Sequence, residues 1–532
     1  MFFFSLALVF ISSSTLSAQE NYFVQFTDKA ATPYSIDAPE QYLSQKAIVR
    51  RSNQGISIDE KDLPVDPAYV SSVDAIPNVI VRYSTKWLNG VVVWCDSLAM
   101  VEITQLPMVS GVERTIQWEN DFELEVSLSS VDDSGLRLKN MPLIDYGLSD
   151  GQITDLNGQA LHDLGFEGEG IVISILDSGF DNVDVMAAFD HVRDEDRILS
   201  TKDVVEGDEN VYDEHSHGRL VLSTIAGIVA GEAYGTAVDA SFHLIRTEDT
   251  DSESTVEELN WVAGAEYADS VGSDILNTSL GYTTFDEEIQ NHSYEDMDGN
   301  TTWISRGSDI AASRGMLVVN SAGNSGNSDW FYISAPADGD SVLAIGAVKG
   351  DSTQAAFSSF GPTFDGRVKP NVMAKGQGSV VIGASNVPFQ ANGTSFSSPI
   401  LAGMAACLWQ AVPEATNMEV FHAIEQSAHL YDTPTDALGH GIPDFGLALE
   451  LLQDPATSVI ESNEGALRVY PNPAHEFLTI DLPELLRSIS DPHQRWSNSI
   501  YSAADRRLGQ YLTSTSFALV VINHLAFIRL VQ

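Results

Sequence analysis

Residues 170–177 read GIVISILD, an unbroken apolar run that ends on an aspartate. A strand with one wet face alternates apolar and polar residues. A run without alternation is the pattern of a strand covered on both faces, as in parallel sheets. Four more such runs follow: SFHLIRT (241–247), DILNTSLG (274–281), GMLVVNSAGN (315–324) and SVLAIGAV (341–348). Helical stretches lie between them, among them STVEELNWVAGAEYADSV (254–271) and TTWISRGSDIAASRG (301–315). The alternation predicts an α/β domain over residues 143–455, built on a doubly wound, mostly parallel sheet. Ligands of such sheets sit beyond the carboxyl ends of the strands, so the polar residues closing these runs are the candidates for chemistry.

Residues 20–116 have a different rhythm: NYFVQFT (21–27), a helical PEQYLSQKAIVRR (39–51), NVIVRYS (78–84), NGVVVWCD (89–96), a helical SLAMVEITQLP (97–107) and VSGVERT (109–115). Strand, helix, strand, strand, helix, strand is the order of a small ferredoxin-like α+β sandwich. Residues 117–142 are polar, acidic and without periodicity, as expected of a linker. The opening MFFFSLALVFISSSTLSAQE resembles a secretory signal peptide ending at Ala18, although no Lys or Arg precedes its apolar run. It places the protein outside the cytoplasm, secreted or at the cell surface. No later run of 18 apolar residues calls for a membrane span. Cys95 and Cys407 fall in different domains, so no structural disulfide is expected.

Acidic residues outnumber basic ones 75 to 27, for a formal net charge of -48. A field of that sign repels phosphate, which argues against nucleic acid as a partner.

Four polar residues close or open the predicted elements. Asp177 ends its strand ahead of a tight SGF turn. His217 stands in DEHSHGRLVLSTIAG (213–227), Asn324 ends GMLVVNSAGN, and Ser395 lies in NGTSFSSPILAG (392–403). Each alone has an ordinary reading: a turn aspartate, a structural histidine, a loop asparagine, a helix cap. A nucleophilic hydroxyl, however, needs a base, a group that orients the base, and donors for an oxyanion, and the rest of the chain must supply these three. In the order Asp, His, Ser, over residues 143–452, the motifs resemble the subtilisin-like serine proteases.

The resemblance implies Ser395 as nucleophile, His217 as general base and Asp177 as its orienting carboxylate. The Asn324 amide and the Ser395 N–H become the oxyanion donors. Ser279, Leu280 and Gly281 match the family's substrate strand, where an extended peptide pairs. KWLNGVVVWCD and LPMVSGVERT, within residues 86–115, look like the family's inhibitory propeptide. Protein or peptide substrates and the chain's own propeptide are thus the implied partners. No cofactor is required for the chemistry. Structural calcium is common in the family, and HSYEDMDGNTT (292–302), around Asp296 and Asp298, resembles a calcium-loop fragment without EF-hand spacing.

Arg219 departs from the family pattern, which has threonine after His-Gly; a solvent-facing rotamer beside Asp213 or Glu214 would leave the site undisturbed. Two other classes stand against the protease reading. One is an inactive subtilase-fold binding or surface module. The other is a metallohydrolase on His215 and His217, for which no His-Glu-x-x-His pattern is present. An α/β-hydrolase needs Gly-x-Ser-x-Gly, and Ser397 occupies the last position.

LRVYPNPAHEFLTIDLPE (467–484), within the 465–484 segment, resembles the opening of a C-terminal sorting domain used by type IX secretion, which makes that machinery a further partner. Residues 485–532 do not continue it: five Arg, no Lys and two Asp reverse the charge balance, as after a frame change. A chain so altered is expected to stall in the periplasm.

Overall fold

The computed structural model describes residues 19–115 and 144–453, and the backbone of four strands beyond them. The signal-peptide segment 1–18 and the linker 117–142 lie outside the described residues.

Near the N-terminus, β1 (Glu20–Phe26), β2 (Val79–Thr85), β3 (Gly90–Cys95) and β4 (Val109–Thr115) form an antiparallel sheet of order β2-β3-β1-β4. That is the ferredoxin-like order. Alternation along β1 sends Tyr22 and Val24 into this domain's own core, while Phe23 joins Trp87, Leu88 and Val92 against helices of the larger domain.

The helices differ from expectation. Residues 39–51 do not form one helix under the sheet: α1 spans Gln45–Asn53, and the helix that packs on β2 is α2 (Pro67–Asp74), with α3 (Ser97–Ile103) following β3. The buried residues of α1 are Ala47, Arg50 and Arg51. A helix whose buried face is basic needs anions rather than an apolar core.

The larger domain holds β5 (Val172–Asp177), β6 (Ile198–Asp203), β7 (Ser241–Arg246), β8 (Ile275–Thr278), β9 (Leu317–Ser321), β10 (Val342–Val348) and β11 (Val372–Lys375). They form one parallel sheet of order β11-β10-β9-β8-β5-β7-β6. The order reverses between β5 and β8, which opens a crevice at their carboxyl ends. On one face lie α4 (His217–Ala226) and α7 (Thr394–Ala411), and on the other α5 (Val256–Val271) and α6 (Trp303–Ser313).

Helix α5 supplies the anions for α1. Asp269 bonds Arg50 Nη2 at 2.6 Å, Arg51 Nη2 at 2.8 Å and Lys86 Nζ at 3.2 Å, and its side chain is fully buried. Burial opposes its charge, but the three cations outweigh it and hold the carboxyl well below the usual range. One turn earlier, Glu266 accepts from the backbone N–H groups of Lys86 (2.8 Å) and Trp87 (2.9 Å).

Cys95 ends β3 and Cys407 lies in α7; both are buried free thiols. Among the described residues no helix is long and apolar enough to cross a membrane. The C-terminal unit is a separate antiparallel sheet of Arg468–Tyr470, Phe477–Asp481, Leu525–Val531 and Ser516–Ile522, in that order. Of the tail after residue 485, Leu525–Val531 pairs with Phe477–Asp481 of the preceding segment, and Ser516–Ile522 pairs with Leu525–Val531.

Candidate active site

Strand β5 presents Asp177 at its last position, and α4 begins across the turn that follows. A Cβ on Gly218 would lie 2.5 Å from the Gly179 carbonyl oxygen and 3.0 Å from the Asp177 Cβ, so only glycine after His217 lets the helix approach this closely. The approach places His217 Nδ1 2.8 Å from Asp177 Oδ1. Nδ1 then carries the proton and Nε2 is the basic nitrogen. Burial opposes the imidazolium, but the Asp177 charge and hydrogen bond prevail and hold His217 above its ordinary value.

Ser395 sits in the first turn of α7, where backbone N–H groups have no helical acceptor. Pro399, four residues on, has no N–H, which leaves the Ser395 carbonyl without its helical donor. Ser279 Oγ donates to that carbonyl at 2.8 Å and ties the start of α7 to the segment after β8. The Ser395 hydroxyl donates to the Ser279 carbonyl at 3.3 Å rather than to His217. The ring of Phe396, next in the chain to Ser395, is centred 6.1 Å from that of His217, so the histidine lies beside the start of α7 with no hydrogen bond to the serine. Such bonds are often loose until substrate is bound.

Asn324 follows β9. Its Oδ1 accepts from Thr394 N–H at 2.9 Å and Thr394 Oγ1 at 3.0 Å, which fixes the amide with Nδ2 as the free donor. A Cβ built on Gly393 would lie 3.7 Å from Asn324 Nδ2 and 3.6 Å from the Ser395 nitrogen. The two donors therefore flank the same small space.

The Leu280 carbonyl is turned inward onto Asn320 Nδ2 at 3.2 Å, while Gly281 is exposed. A Cβ on Gly281 would meet Ser334 Oγ at 2.1 Å, so no other residue fits there without displacing that serine.

Arg219 is not solvent-facing and its partner is neither Asp213 nor Glu214. It is buried, with Nη1 donating to the Asp181 carbonyl at 3.0 Å and to Asp181 Oδ2 at 2.7 Å. The ion pair keeps the guanidinium off His217, whose basicity is set by burial and by Asp177.

His215 and His217 stack with ring centres 6.5 Å apart, and each Nδ1 is engaged, by Ser178 Oγ at 2.9 Å and by Asp177 respectively. Among the described residues no group of three or more His, Cys, Asp or Glu could hold a metal ion. Asp296 closes a turn onto Ser293, and Asp298 accepts from the N–H groups of Asn300 and Thr301, so the calcium-like segment spends these carboxylates locally. Reading the sequence missed Ser178, Asp181 and Ser334; single serines and aspartates beside a motif carry no pattern that marks them.

The subtilase family model matches residues 168–445, a little over half of the chain. The chain belongs to the subtilase family. A second model, the peptidase S8 propeptide domain of Bacteroidota, matches residues 21–128 of this subtilase. Subtilisin NAT of Bacillus subtilis subsp. natto is 27% identical over 354 residues, covering 65% of this chain and 77% of its own. Subtilisin DY of Bacillus licheniformis is 29% identical over 267 residues, 50% of this chain and 85% of its own. A solved chain of a Pseudoalteromonas arctica protease aligns with TM-score 0.46 and 20% identity, over 58% of this chain and 99% of its own. The subtilase is a subtilisin-like serine endopeptidase with a propeptide domain.

Proposed function

We propose that this subtilase is secreted, is kept latent by its N-terminal domain, and cleaves peptide bonds through an acyl-enzyme on Ser395. The observation that carries the reading is the 2.8 Å Asp177–His217 bond facing a serine in the first turn of a helix. Ser395 Oγ attacks the scissile carbonyl while His217 Nε2 takes its proton, and Asp177 stabilises the imidazolium. The oxyanion forms against Asn324 Nδ2 and the Ser395 N–H. His217 returns the proton to the leaving amine, and water then hydrolyses the ester with His217 again as base. The substrate runs along Ser279, Leu280 and Gly281 as an added strand. No step calls for a cofactor.

A fluorophosphonate probe applied to the full chain tests the reading: peptide mapping should find the adduct on Ser395. A folded chain that stays unlabelled would favour the inactive binding module, a reading to which the Ser395–Ser279 hydrogen bond lends support. Asn324→Ala should lower kcat by about 100- to 1,000-fold, the loss recorded for this donor in subtilisin itself, with Tm little changed. A pH profile of kcat/KM supplies a second check. Catalysis needs neutral His217, whose pKa is raised, so activity falls as pH drops through a value above the ordinary imidazole pKa of about 6.5. Export by a type IX route rests on residues 467–484 alone, and fractionation decides it: full chain in the periplasm marks a stalled product, full chain in the supernatant a competent one.

A further inference from the structure

We propose that His215 is a positioning residue whose Nδ1 holds the Ser178 hydroxyl away from Asp177, and so sets the pH at which His217 becomes a working base. The inference rests on the triad reading above. Ser178 Oγ lies 2.9 Å from His215 Nδ1 and 3.2 Å from Asp177 Oδ1. A hydroxyl has one proton and can donate to only one of them.

The backbone settles which. His217 N–H also points at His215 Nδ1, at 3.4 Å. A protonated Nδ1 would face that N–H donor to donor, so Nδ1 is the acceptor and the His215 proton sits on Nε2. Ser178 donates to His215. Asp177 Oδ1 then has two N–H donors, Ser178 N and His217 Nδ1, both at 2.8 Å. Oδ2 is buried without a hydrogen-bond partner among the described residues, so Oδ1 bears the whole contact with the base. A third donor on Oδ1 would draw charge away from the imidazolium and make His217 a weaker base.

The charged and titratable groups facing His215 are His217, Asp177, Arg219 and Asp181. Burial, then the charge on His217, pushes His215 below its ordinary value. His217 is held above its own, so it titrates first, while His215 is still a neutral acceptor. The Arg219 pair with Asp181 fixes the other side of the ring's surroundings.

Kinetics of the full chain over pH test this. In His215→Phe the Ser178 hydroxyl turns onto Asp177, and the acid limb of kcat/KM should move down by about half a pH unit. His215→Asn, which keeps a non-titrating acceptor near the Nδ1 position, should leave the limb in place. In a Ser178→Ala background, His215→Phe should shift nothing. An equal shift with and without the Ser178 hydroxyl, or no shift in His215→Phe, overturns the proposal. Nitrogen-15 NMR of histidine-labelled wild type adds a readout independent of the variants: His215 protonated at Nδ1 and bare at Nε2 would overturn it outright. Fluorophosphonate labelling separates the two levels. An unlabelled wild type removes the triad reading, whereas a labelled wild type without the predicted shift removes only the role of His215.

Discussion

Ser395→Ala in the full chain should abolish peptide hydrolysis and probe labelling while leaving the fold intact. The expected loss in kcat is about a million-fold, the magnitude found for subtilisin itself when its nucleophile is removed. Only the hydroxyl is lost. The Ser395 carbonyl still accepts from Ser279, and the first turn of α7 still presents its N–H groups, so Tm should move by only a few degrees. Self-cleavage between the N-terminal domain and the peptidase should stop as well, leaving one band on a gel where wild type gives two. A Ser395→Ala chain that is cut at the same place and rate, in the absence of other proteases, would show that Ser395 does not process its own chain.

Asp269→Ala should loosen the N-terminal domain from the peptidase. Arg50 and Arg51 are almost wholly buried, and Asp269 is the carboxylate they share. Removing one partner of a buried ion pair costs about 3–5 kcal/mol, because the remaining charge is left in a dry environment, and this corresponds to a factor of roughly 100 to several thousand in docking. Part of the loss is recovered locally: Arg51 keeps Asp62 at 2.8 Å, and Arg50 keeps the carbonyls of Ser273 and Arg314. The cleanest measurement uses Ser395→Ala as parent, so that no self-cleavage intervenes, and compares thermal unfolding and tryptic release of residues 19–115 in the full chain. A double variant as resistant as its parent would mean that the ion network is neutral and the apolar contacts do the holding. Salt alone should not reproduce the effect, since buried pairs are weakly screened. Acid should not either, until well below the ordinary carboxylate range, because the depressed Asp269 keeps its charge there.

The sheet was legible where its strands are dry on both faces. The runs at 172–177, 241–246, 275–278, 317–321 and 342–348 all became strands, with their closing polar residues gathered at one end. The two remaining strands left weaker traces. Ile198–Asp203 is an edge strand in which only Asp203 is buried, and Val372–Lys375 is four residues long, too short for any period to emerge. In the N-terminal domain, Asp66-Pro67 at the head of α2 is a helix start that the apolar pattern alone conceals: the side chain of Asp66 caps the Ala68 N–H, yet Val73 is the helix's one fully buried residue. Helix α1 escaped a hydrophobicity argument for the opposite reason, since its inner face is Arg50 and Arg51, and the Asp269 they share lies more than 200 residues away. The positions singled out in the sequence are legible as element ends: Asp177 closes β5, His217 opens α4 and Ser395 lies in the first turn of α7, while Asn324 falls in the loop three residues after β9. The orientation of the Ser395 hydroxyl, the burial of Arg219 and the link from Ser178 to His215 are set by packing between distant segments, on which a linear pattern is silent.

The mixed character of the contact on α5 bears on which N-terminal domains this peptidase can accept. Phe23, Trp87, Leu88 and Val92 would adhere to any matching apolar surface. Asp269 and Glu266 cannot be so tolerant, because each is buried and must find its donors at fixed positions. A foreign domain of the right shape, but without the arginine pair, would strand Asp269 in a dry interface and be rejected by several kcal/mol. The apolar patch thus gives adhesion, and the buried carboxylates give discrimination between a chain's own domain and those of its relatives.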